Sequence, residues 1–372
     1  MDSTSKNPRI GLVSFNVYAF FNPASPAQLG GSEWQMYQLA QVLAAEGNEV
    51  VFVVGDFGQQ SIEKHGLITV YKSIALSKQW LNYIQAPFVL WAALWRTKAN
   101  VYIASPAGPE VGLIALYCKL WHKRFIFRTA SAVDCTREKV TSLGVIAGYL
   151  YQLGLRTADV IVCQSEQAKA AIKKYHGREA VVINNIIEMP VMTTRKDFIL
   201  WVGSARAVKQ PHIFLELARS MPTEKFMMIM SRTGDMRLWD KIKASAQQIA
   251  NLQFMGEVPP TKIGEYFSRA IVLVGTSQYE GFPNVYLQAL SYGVPIVSLS
   301  VNPDNFLTQY NVGYCADGNE DKMRTDLRFL LDDRASYEAK SQAGRQYMAT
   351  HHDKKIIGQQ WVSQISPRHS VQ

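Results

Sequence analysis

The chain has 372 residues, 48% hydrophobic and 19% charged, a composition that excludes a disordered or fibrous protein and allows two globular domains of ordinary size. Its formal net charge of +9 at pH 7 comes without a recognised DNA- or RNA-binding motif, so a nucleic acid is not an expected partner. The four cysteines lack any C-x-x-C spacing, which argues against a disulfide framework or a structural zinc site and fits a reducing compartment.

The first half begins with a βαβ pattern. Residues 9–15 predict a buried strand, a loop follows that ends at Gly30, Gly31, Ser32 and Glu33, and a helix from Trp34 then leads to a strand at 49–54. This order is typical of an open parallel sheet, which binds ligands at such turns. There is no G-x-G-x-x-G fingerprint. The two glycines either let the backbone approach a phosphate or sugar closely, or serve loop geometry alone.

Further α/β units follow in order. The predicted elements are a helix over about 77–97, a strand at 100–105, a helix over about 110–121, a strand at 124–128, a helix over roughly 137–157, a strand at 159–164, a Ser165-capped helix to 175 and a strand at 180–185. Residues 188–197 lose the pattern and predict an interdomain linker.

The second half restarts the pattern. A strand at 198–202 is expected to leave through Gly203 into a loop with Arg206 and Lys209, before a helix through 218. The later predicted elements are strands at 225–230, 251–256 and 270–275, helices at 236–249 and after Pro260, and helical segments from 321 onward.

The stretch 279–300 is the strongest candidate for the chemistry. Glu280 lies in a turn where Gly281, Pro283 and Asn284 break regular structure, and a short apolar helix follows, closed by Gly293. A turn that leads into a helix N-terminus offers backbone N–H groups and a positive dipole end to an anion. This arrangement suits a phosphate, although Glu280 could instead only cap the helix.

The region 64–128 is basic and aromatic. It has nine Lys or Arg residues and one acid, Glu110, interleaved with aromatic residues: Trp80, Tyr83, Phe88, Trp91, Trp95 and Trp121. This pattern favours contact with an anionic membrane surface, although Trp91 and Trp95, spaced i, i+4, also fit the buried face of a helix.

Residues 1–9 are polar and do not resemble a signal peptide, and no apolar run is long enough to span a bilayer. We therefore expect a cytoplasmic protein, soluble or peripheral on the cytoplasmic face of the membrane.

Four segments together resemble a known enzyme family: GGSEWQMYQLAQVLAAEGNEVVFVVG near the start, VCQSE at 162–166, WVGSARAVKQP at the start of the second half, and EGFPNVYLQALSYGVPIV. Over nearly the whole chain, the sequence resembles the retaining glycosyltransferases of family 4. This resemblance implies the GT-B fold, an α/β architecture of two Rossmann-like, doubly wound domains facing across a cleft. The expected domains are 1–190, which binds the acceptor, and 191–355, which binds the nucleotide-sugar, with a C-terminal helix at 356–372 packing back toward the first domain.

The resemblance also implies roles for single residues. Glu280 matches the first glutamate of the family's Glu-x7-Glu signature, which contacts hydroxyls of the donor sugar. Lys209 matches the phosphate lysine, and Gly31 the glycine whose backbone approaches the diphosphate. The other residues expected on the donor side are Gly203, Gly281, Phe282, Pro283 and Asn284.

Three positions depart from the family pattern. The second glutamate, which binds ribose, is here the uncharged Gln288. The family arginine would fall at Ser204, so Arg206 is the displaced second base. Where the family often has His-Asp after the strand at 124–128, this chain has Ala-Ser. We expect Arg128 or Asp134 to substitute there, on the acceptor side with Gly30.

These residues predict a mechanism that requires no metal and no cofactor. Lys209, Arg206 and the helix N-terminus near Asn284 would stabilise the departing nucleoside diphosphate, and the sequence has no D-x-D metal pair. Glu280 would orient the sugar or stabilise oxocarbenium-like charge. The two bases could equally be solvated residues of a surface loop.

The predicted activity is transfer of a hexose-type sugar, with retention, from a UDP- or GDP-linked donor to a surface-polysaccharide or lipid-linked acceptor. Two alternatives remain at this point: a catalytically weak nucleotide-sugar-binding partner subunit, and a nucleotide-sugar epimerase. No motif specifies the base, the sugar, the acceptor or the linkage.

Overall fold

The computed structural model describes residues 8–27, 30–75, 80–190, 196–259 and 262–366, with the backbone alone for 80–84. The chain forms two compact units: an N-terminal unit of Met1–Ile186 with Lys354–Gln372, and a C-terminal unit of Ile187–Asp353. Some predictions lie partly outside the described residues: the start of the first long helix at 77–79, the linker at 191–195, the start of the helix after Pro260, the C-terminal helix at 367–372, and the side chains of Trp80 and Tyr83. None of the helices in the described ranges combines the length and apolar character that crossing a membrane requires.

An eight-stranded sheet forms the centre of the described N-terminal unit. Its strands are β1 (Ile10–Val13), β2 (Val50–Asp56), β3 (Ile62–His65), β4 (Ile68–Ala75), β5 (Val101–Ala104), β6 (Arg124–Arg128), β7 (Val160–Cys163) and β8 (Val181–Val182). The spatial order is β3-β4-β2-β1-β5-β6-β7-β8, parallel except for the antiparallel β3–β4 pair. Leu12 pairs with Phe52 on one side and Ile103 on the other. The central strands are buried along their length, as parallel strands covered on both faces must be.

Helices cover both faces of this sheet. They are α1 (Gly31–Ala45), α2 (Trp80–Thr97), α3 (Glu110–Leu120), α4 (Arg137–Ser142), α5 (Val145–Thr157) and α6 (Glu166–His176). Met36 and Leu39 of α1 enter the core on one face. Leu90 of α2, Ile114 of α3 and Tyr151 of α5 enter the core on the other.

The C-terminal unit repeats this architecture with a six-stranded parallel sheet. The strands are β9 (Phe198–Ala205), β10 (Phe226–Gly234), β11 (Leu252–Met255), β12 (Ala270–Gly275), β13 (Ile296–Ser298) and β14 (Gly313–Cys315), in the order β11-β10-β9-β12-β13-β14. The helices are α7 (Pro211–Ser220), α8 (Met236–Ala246), α9 (Ile263–Arg269), α10 (Asn284–Ser291), α11 (Phe306–Gln309), α12 (Glu320–Asp332) and α13 (Arg334–His351). Two cores flank the sheet, one under α7, α8 and α12, the other under α9, α10, α11 and α13.

The chain then returns to the N-terminal unit as α14 (Lys354–Ile365). Ile357, Trp361 and Ile365 are buried in the same core as α1. Gly358 is the point of close approach, because a Cβ there would lie 2.7 Å from Val42 Cγ1.

Several element predictions were wrong in detail. The β3–β4 hairpin was missed, because β3 is a four-residue edge strand with no buried residue, in which Ile62 is followed by Glu63, Lys64 and His65. The single helix predicted over 137–157 is two helices, broken at Gly144 with φ 80°. The strand predicted at 180–185 has only the two residues of β8.

The strand before the predicted basic loop was also misjudged. β9 runs to Ala205, so Gly203 lies inside the strand instead of opening the loop. Trp201 explains this glycine, because a Cβ at Gly203 would lie 2.6 Å from the indole ring. The close packing of Trp201 accounts for Gly203 without a ligand.

In each sheet, the chain first adds strands on one side of its first strand and then on the other side. In the N-terminal unit the chain builds outward from β1 through β2 and β4, then returns to place β5 on the other side of β1. In the C-terminal unit it builds from β9 through β10 and β11, then places β12 on the other side of β9. Open α/β sheets bind ligands beyond the carboxyl ends of the strands at such points. We call these places the N-terminal and the C-terminal switch point.

Candidate active site

Two loops meet at the C-terminal switch point. The loop after β9 makes a short 3₁₀ turn at Ala207–Lys209 and enters α7 through Gln210, which has φ 43°. The loop after β12 runs from Thr276 to Pro283 and enters α10. Because β9 and β12 are neighbours in the sheet, both loops leave the same edge side by side.

Hydrogen bonds join the two loops into one structure. The Thr276 hydroxyl donates to the backbone oxygen of Lys209 at 2.6 Å and accepts from Trp201 Nε1 at 2.8 Å. The backbone N–H of Gln278 donates to the backbone oxygen of Val208 at 2.9 Å. The backbone that carries Lys209 is therefore held against the loop that carries Glu280.

Lys209 and Glu280 form an ion pair across these loops, from Nζ to Oε1. The Ser277 hydroxyl donates to the same carboxylate oxygen at 2.8 Å. Both charged side chains are 21% exposed, so the pair is mostly, but not fully, withdrawn from water. An ammonium group has three N–H donors, which leaves Lys209 able to bind a further acceptor beside the carboxylate. The structure thus brings together two of the three charged residues that the sequence analysis placed at the donor.

The N-terminus of α10 lies directly after this pair. Pro283 is the N-cap and Asn284 the first helical residue; Pro283 makes no side-chain capping hydrogen bond, and the first turn of α10 has no acid. The end therefore keeps the positive dipole that favours an anion. Phe282 is buried between Phe306 and His352, at ring-centroid distances of 4.9 and 5.8 Å. Its side chain fixes the turn, so only its backbone is available to a ligand.

Close packing holds the end of β12 under this turn. A Cβ at Gly275 would lie 2.0 Å from the Tyr286 hydroxyl, which donates to Ser298 Oγ at 2.9 Å. Burial raises the pKa of Tyr286; the Ser298 hydrogen bond opposes the rise, and the nearby Glu280 charge adds to it. Tyr286 is therefore a neutral packing residue beneath the ion pair.

The remaining donor-side candidates lie around the same turn. Gly281 and Gln288 are half-buried, and Gln288 lies one helical turn after Asn284 on α10. Arg206 is exposed at the start of the 3₁₀ turn, three residues before Lys209, and its side chain passes near Gly234, where a Cβ would lie 2.9 Å from Arg206 Cγ.

Gly30 and Gly31 begin α1 in the N-terminal unit. Gly30 is the N-cap, with extended backbone, and Gly31 is the first helical residue, so the helix starts earlier than predicted. A Cβ at Gly30 would lie 2.8 Å from Glu33 Oε2, and the Ser32 hydroxyl donates to that oxygen at 2.9 Å. Gly30 thus leaves room for Glu33 at the start of the helix.

Arg128 and Asp134 flank the loop after β6. Arg128 is buried and its Nη2 donates to Asn185 Oδ1 at 2.6 Å. Burial lowers the pKa of Arg128 to about 10, while the Asp134 charge opposes this shift, so the guanidinium stays charged at neutral pH. Asp134 accepts from the N–H groups of Ala130 and Ser131 at 2.8 and 3.0 Å. Its carboxylate therefore already holds the loop where the family histidine was expected.

Sequence reasoning missed Thr276 and Ser277. Both are polar residues that directly follow a buried strand, and this position was the signal available. Among the described residues, no group of three or more His, Cys, Asp or Glu side chains is placed so that it could hold a metal ion.

Two family models match the sequence. The model "Glycosyltransferase Family 4" matches residues 29–189, and "Glycosyl transferases group 1" matches residues 183–347. The chain is a glycosyltransferase. Its family, its α/β fold class with two Rossmann-like units and its enzyme class are those predicted from the sequence. Among curated proteins, none matches this chain.

Solved structures show the same fold at low sequence identity. Sucrose-phosphate synthase from Thermosynechococcus elongatus aligns with a TM-score of 0.76 at 16% identity, over 96% of this chain and 98% of its own. HepE from Anabaena, in complex with UDP-glucose, aligns with a TM-score of 0.72 at 14% identity, over 96% and 99%. WaaG, a glycosyltransferase involved in lipopolysaccharide biosynthesis, aligns with a TM-score of 0.70 at 14% identity, over 96% and 99%. The fold of these proteins is GT-B, and this glycosyltransferase shares it.

Proposed function

We propose that this glycosyltransferase transfers a hexose-type sugar, with retention, from a UDP- or GDP-linked donor to a surface-polysaccharide or lipid-linked acceptor on the cytoplasmic side of the membrane. The observation that carries the proposal is the Lys209–Glu280 pair at the C-terminal switch point, which lies directly before the N-terminus of α10. UDP-glucose bound to HepE supports the donor class, and the role of WaaG in lipopolysaccharide biosynthesis supports the acceptor class.

In the proposed reaction, the donor exchanges the ion pair for two new contacts. The ammonium of Lys209 binds the diphosphate, with Arg206 and the α10 N-terminus, and the carboxylate of Glu280 binds hydroxyls of the sugar. The bond between the anomeric carbon and the phosphate oxygen breaks, and its electron pair stays on the phosphate. The acceptor hydroxyl oxygen bonds to the same face of that carbon and passes its proton to the leaving phosphate. Lys209 stabilises the charge that develops, and the step requires no metal ion.

The membrane contact is proposed for one aromatic patch. We define it by the exposed residues of α2 and of the end of α3: Phe88, Trp95, Arg96, Lys119, Leu120 and Trp121. Phe88 and Trp95 are 74% and 61% exposed, whereas Trp91 is turned inward and its Nε1 donates to the Leu113 backbone oxygen at 3.0 Å. Exposed aromatic and basic groups together suit an anionic lipid surface.

Cosedimentation with vesicles tests this patch. Phosphatidylglycerol vesicles should retain the wild-type chain and release Trp95→Ser, while Met236→Ser, an exposed apolar residue of the C-terminal unit, should bind as wild type. Equal retention of both variants would remove the patch from the proposal.

The donor proposal is tested by thermal shift with UDP, GDP and their hexose conjugates. A ligand present at 100 times its Kd stabilises the fold by about 2.7 kcal/mol. The anomeric configuration of the product, read by NMR, then tests retention. If no nucleotide raises the melting temperature, the donor assignment fails.

A further inference from the structure

A cluster of exposed apolar side chains lies where α4 turns into α5. Val145 and Ile146, 90% and 79% exposed, are the two most exposed large hydrophobic side chains in the described part of the chain. Tyr149, one turn later on α5, is 63% exposed. A single exposed apolar residue needs no explanation, but three within five residues indicate a contact surface. We call Val145, Ile146 and Tyr149 the hairpin tip.

Close packing fixes α5 in this position. Gly144, with φ 80°, makes the turn between the two helices, and a Cβ at Gly148 would lie 2.3 Å from the Val140 backbone oxygen of α4. Further along α5, a Cβ at Gly154 would lie 2.7 Å from Val111 Cγ1 of α3. Only glycine allows both approaches. The hairpin tip therefore stays exposed unless another molecule covers it.

Polarity increases along the outward side of α5. Val145, Tyr149, Gln152 and Arg156 follow one another at helical spacing, opposite the buried residues of this helix. From the first to the last they cover about 16 Å at 1.5 Å per residue. An aliphatic residue, a tyrosine, an amide and an arginine in this order match the acyl chains, the interface and the headgroup phosphates of a bilayer.

The charges around the hairpin tip are mostly positive and lie away from it. Residues 140–155 include no charged residue. The helices α2 to α6, which pack on one core over this face of the sheet, belong to the segment 80–178. This segment has thirteen Lys or Arg and five Asp or Glu, a net charge of +8 out of the +9 of the chain.

The same segment also concentrates the exposed apolar residues. It contains eight of the fifteen exposed large hydrophobic side chains in the described part of the chain. Basic and apolar groups on one layer of helices complement an anionic lipid surface. A protein partner fits less well, because a specific protein interface takes about 800 Å² and 20–30 residues from each side, whereas the hairpin tip has three apolar residues.

We propose that the hairpin tip inserts at the boundary between headgroups and acyl chains of an anionic membrane. The proposal rests on the membrane location in the proposed function and adds an insertion site that is separate from the aromatic patch. The first N–H groups of α5 have no partner within the helix, so they require acceptors from the lipid. Phosphate and ester oxygens supply these acceptors at the boundary, whereas the hydrocarbon centre does not.

The first test places a fluorophore at the hairpin tip of the full chain. Ile146→Cys is labelled with nitrobenzoxadiazole, and the wild type treated in the same way measures labelling of the four native cysteines, which are all buried. Phosphatidylglycerol vesicles should shift the emission at position 146 to shorter wavelength, and a lipid with a nitroxide near the top of its acyl chain should quench it.

The matched control for this label is Ile62→Cys. Ile62 is a 48% exposed isoleucine of the same unit, on β3 at the edge of the sheet that is far from β7. Its emission should not change when vesicles are added.

The second test measures the contribution of the hairpin tip to binding. Ile146→Ser should weaken retention by phosphatidylglycerol vesicles about 10-fold, the lower end of the value of burying one isoleucine side chain. Ile62→Ser should bind as wild type does. The melting temperature of Ile146→Ser should match that of the wild type, because the side chain is exposed in the free protein.

The possible results separate this proposal from the proposed function. If vesicles retain the wild type but the label at position 146 does not shift, the hairpin tip does not insert and the membrane location stands. If vesicles do not retain the wild type, the membrane location fails and the insertion fails with it. If the label shifts without vesicles as the protein concentration rises, a second copy covers the hairpin tip and the proposal is wrong. Insertion at position 146 with unchanged retention of Trp95→Ser would support the hairpin tip and remove the aromatic patch.

Discussion

At the C-terminal switch point two charged side chains are paired with each other, whereas at the N-terminal switch point two serine hydroxyls have no partner among the described residues. Lys209 and Glu280 form an ion pair supported by Ser277, while Ser14 and Ser105 are buried without a hydrogen bond to any described residue. A desolvated charge costs several kcal/mol if it is left unpaired, whereas a buried hydroxyl without a partner costs about 1–3 kcal/mol. Pairing is therefore far more demanding at the C-terminal switch point than at the N-terminal one.

The largest expected effect comes from breaking the paired site at its carboxylate. Glu280→Ala should lower the transfer rate about 1,000-fold, or about 4 kcal/mol in activation free energy, because the sugar loses its orienting carboxylate. UDP affinity should stay the same or rise, since Lys209 no longer has a competing partner. Product formation by chromatography and UDP titration by calorimetry measure the two effects.

Glu216→Ala is the control for this substitution. It removes an exposed glutamate of α7 that pairs with Arg219, in the same unit, and should leave transfer unchanged. A Glu280→Ala enzyme that turns over like the control would remove Glu280 from the mechanism.

The next largest effect is expected from Lys209, the other partner of the ion pair. Lys209→Met should weaken UDP binding about 10- to 100-fold, because a charge-assisted hydrogen bond to phosphate is worth about 1.5–3 kcal/mol. Calorimetry at two salt concentrations should show that the loss is greater at low salt, since a charge contact is screened. Lys225→Met changes an exposed lysine before β10 and serves as the control. Equal affinities in the two variants would show that Lys209 does not contact the diphosphate.

A third prediction addresses the close packing at the C-terminal switch point. Gly275→Ala should destabilise the fold by about 1–3 kcal/mol, because the new Cβ meets the buried Tyr286 hydroxyl. Gly256→Ala is the matched control, as its Cβ would meet Trp239 at an ordinary 3.8 Å. Urea unfolding compares the two, and equal midpoints would contradict the packing described.

The smallest expected effect is a pH dependence of stability caused by Glu110, at the N-terminal switch point. Because burial raises the pKa of Glu110 from 4.5 to about 7, the folded state binds the proton more tightly and stability falls as pH rises through that window. The titratable groups that face Glu110 are Lys139 of α4, whose positive charge opposes the shift, and the neutral Tyr151 of α5, whose own pKa Glu110 helps to raise.

Glu110→Gln lacks this titration. At pH 8 it should be more stable than the wild type by about 1–2 kcal/mol, less than the full shift implies because the side chain is partly exposed, and at pH 4.5 the two should converge. Thermal melts across pH measure this. If the difference in stability between Glu110→Gln and the wild type is the same at every pH, Glu110 does not titrate in the buried state.

The sequence could predict the site where one continuous segment carries it. The turn at Glu280, the helix that begins at Asn284 and its closure by Gly293 follow from local rules for glycine, proline and helix ends, and the structure confirms them. Lys209 was placed beside Glu280 only through the family resemblance, because the two are 71 residues apart in sequence and meet only through the β9–β12 pairing.

The grouping of Ser14, Ser105 and Glu110 at the N-terminal switch point could not be predicted, because no single continuous segment carries it. Ser14 and Ser105 follow ordinary strands with no unusual motif, and their proximity depends on β5 pairing with β1 after the chain has first built β2 to β4. The position of Glu110 over Gly108 could not be predicted either. An acid at the start of a helix is common and usually solvated, so Glu110 gave no sign that it is buried. These contacts were missed because they depend on the order of the strands in the sheet, which local sequence does not encode.

The return of the chain as α14 has a consequence for synthesis. Ile357, Trp361 and Ile365 complete the core of the N-terminal unit, yet the ribosome adds them only after the whole C-terminal unit. Domains usually fold as units in the order in which they emerge. Here the first unit to emerge must wait for the last helix, so a nascent chain paused just before α14 should present an exposed apolar groove beside α1 that chaperones can recognise.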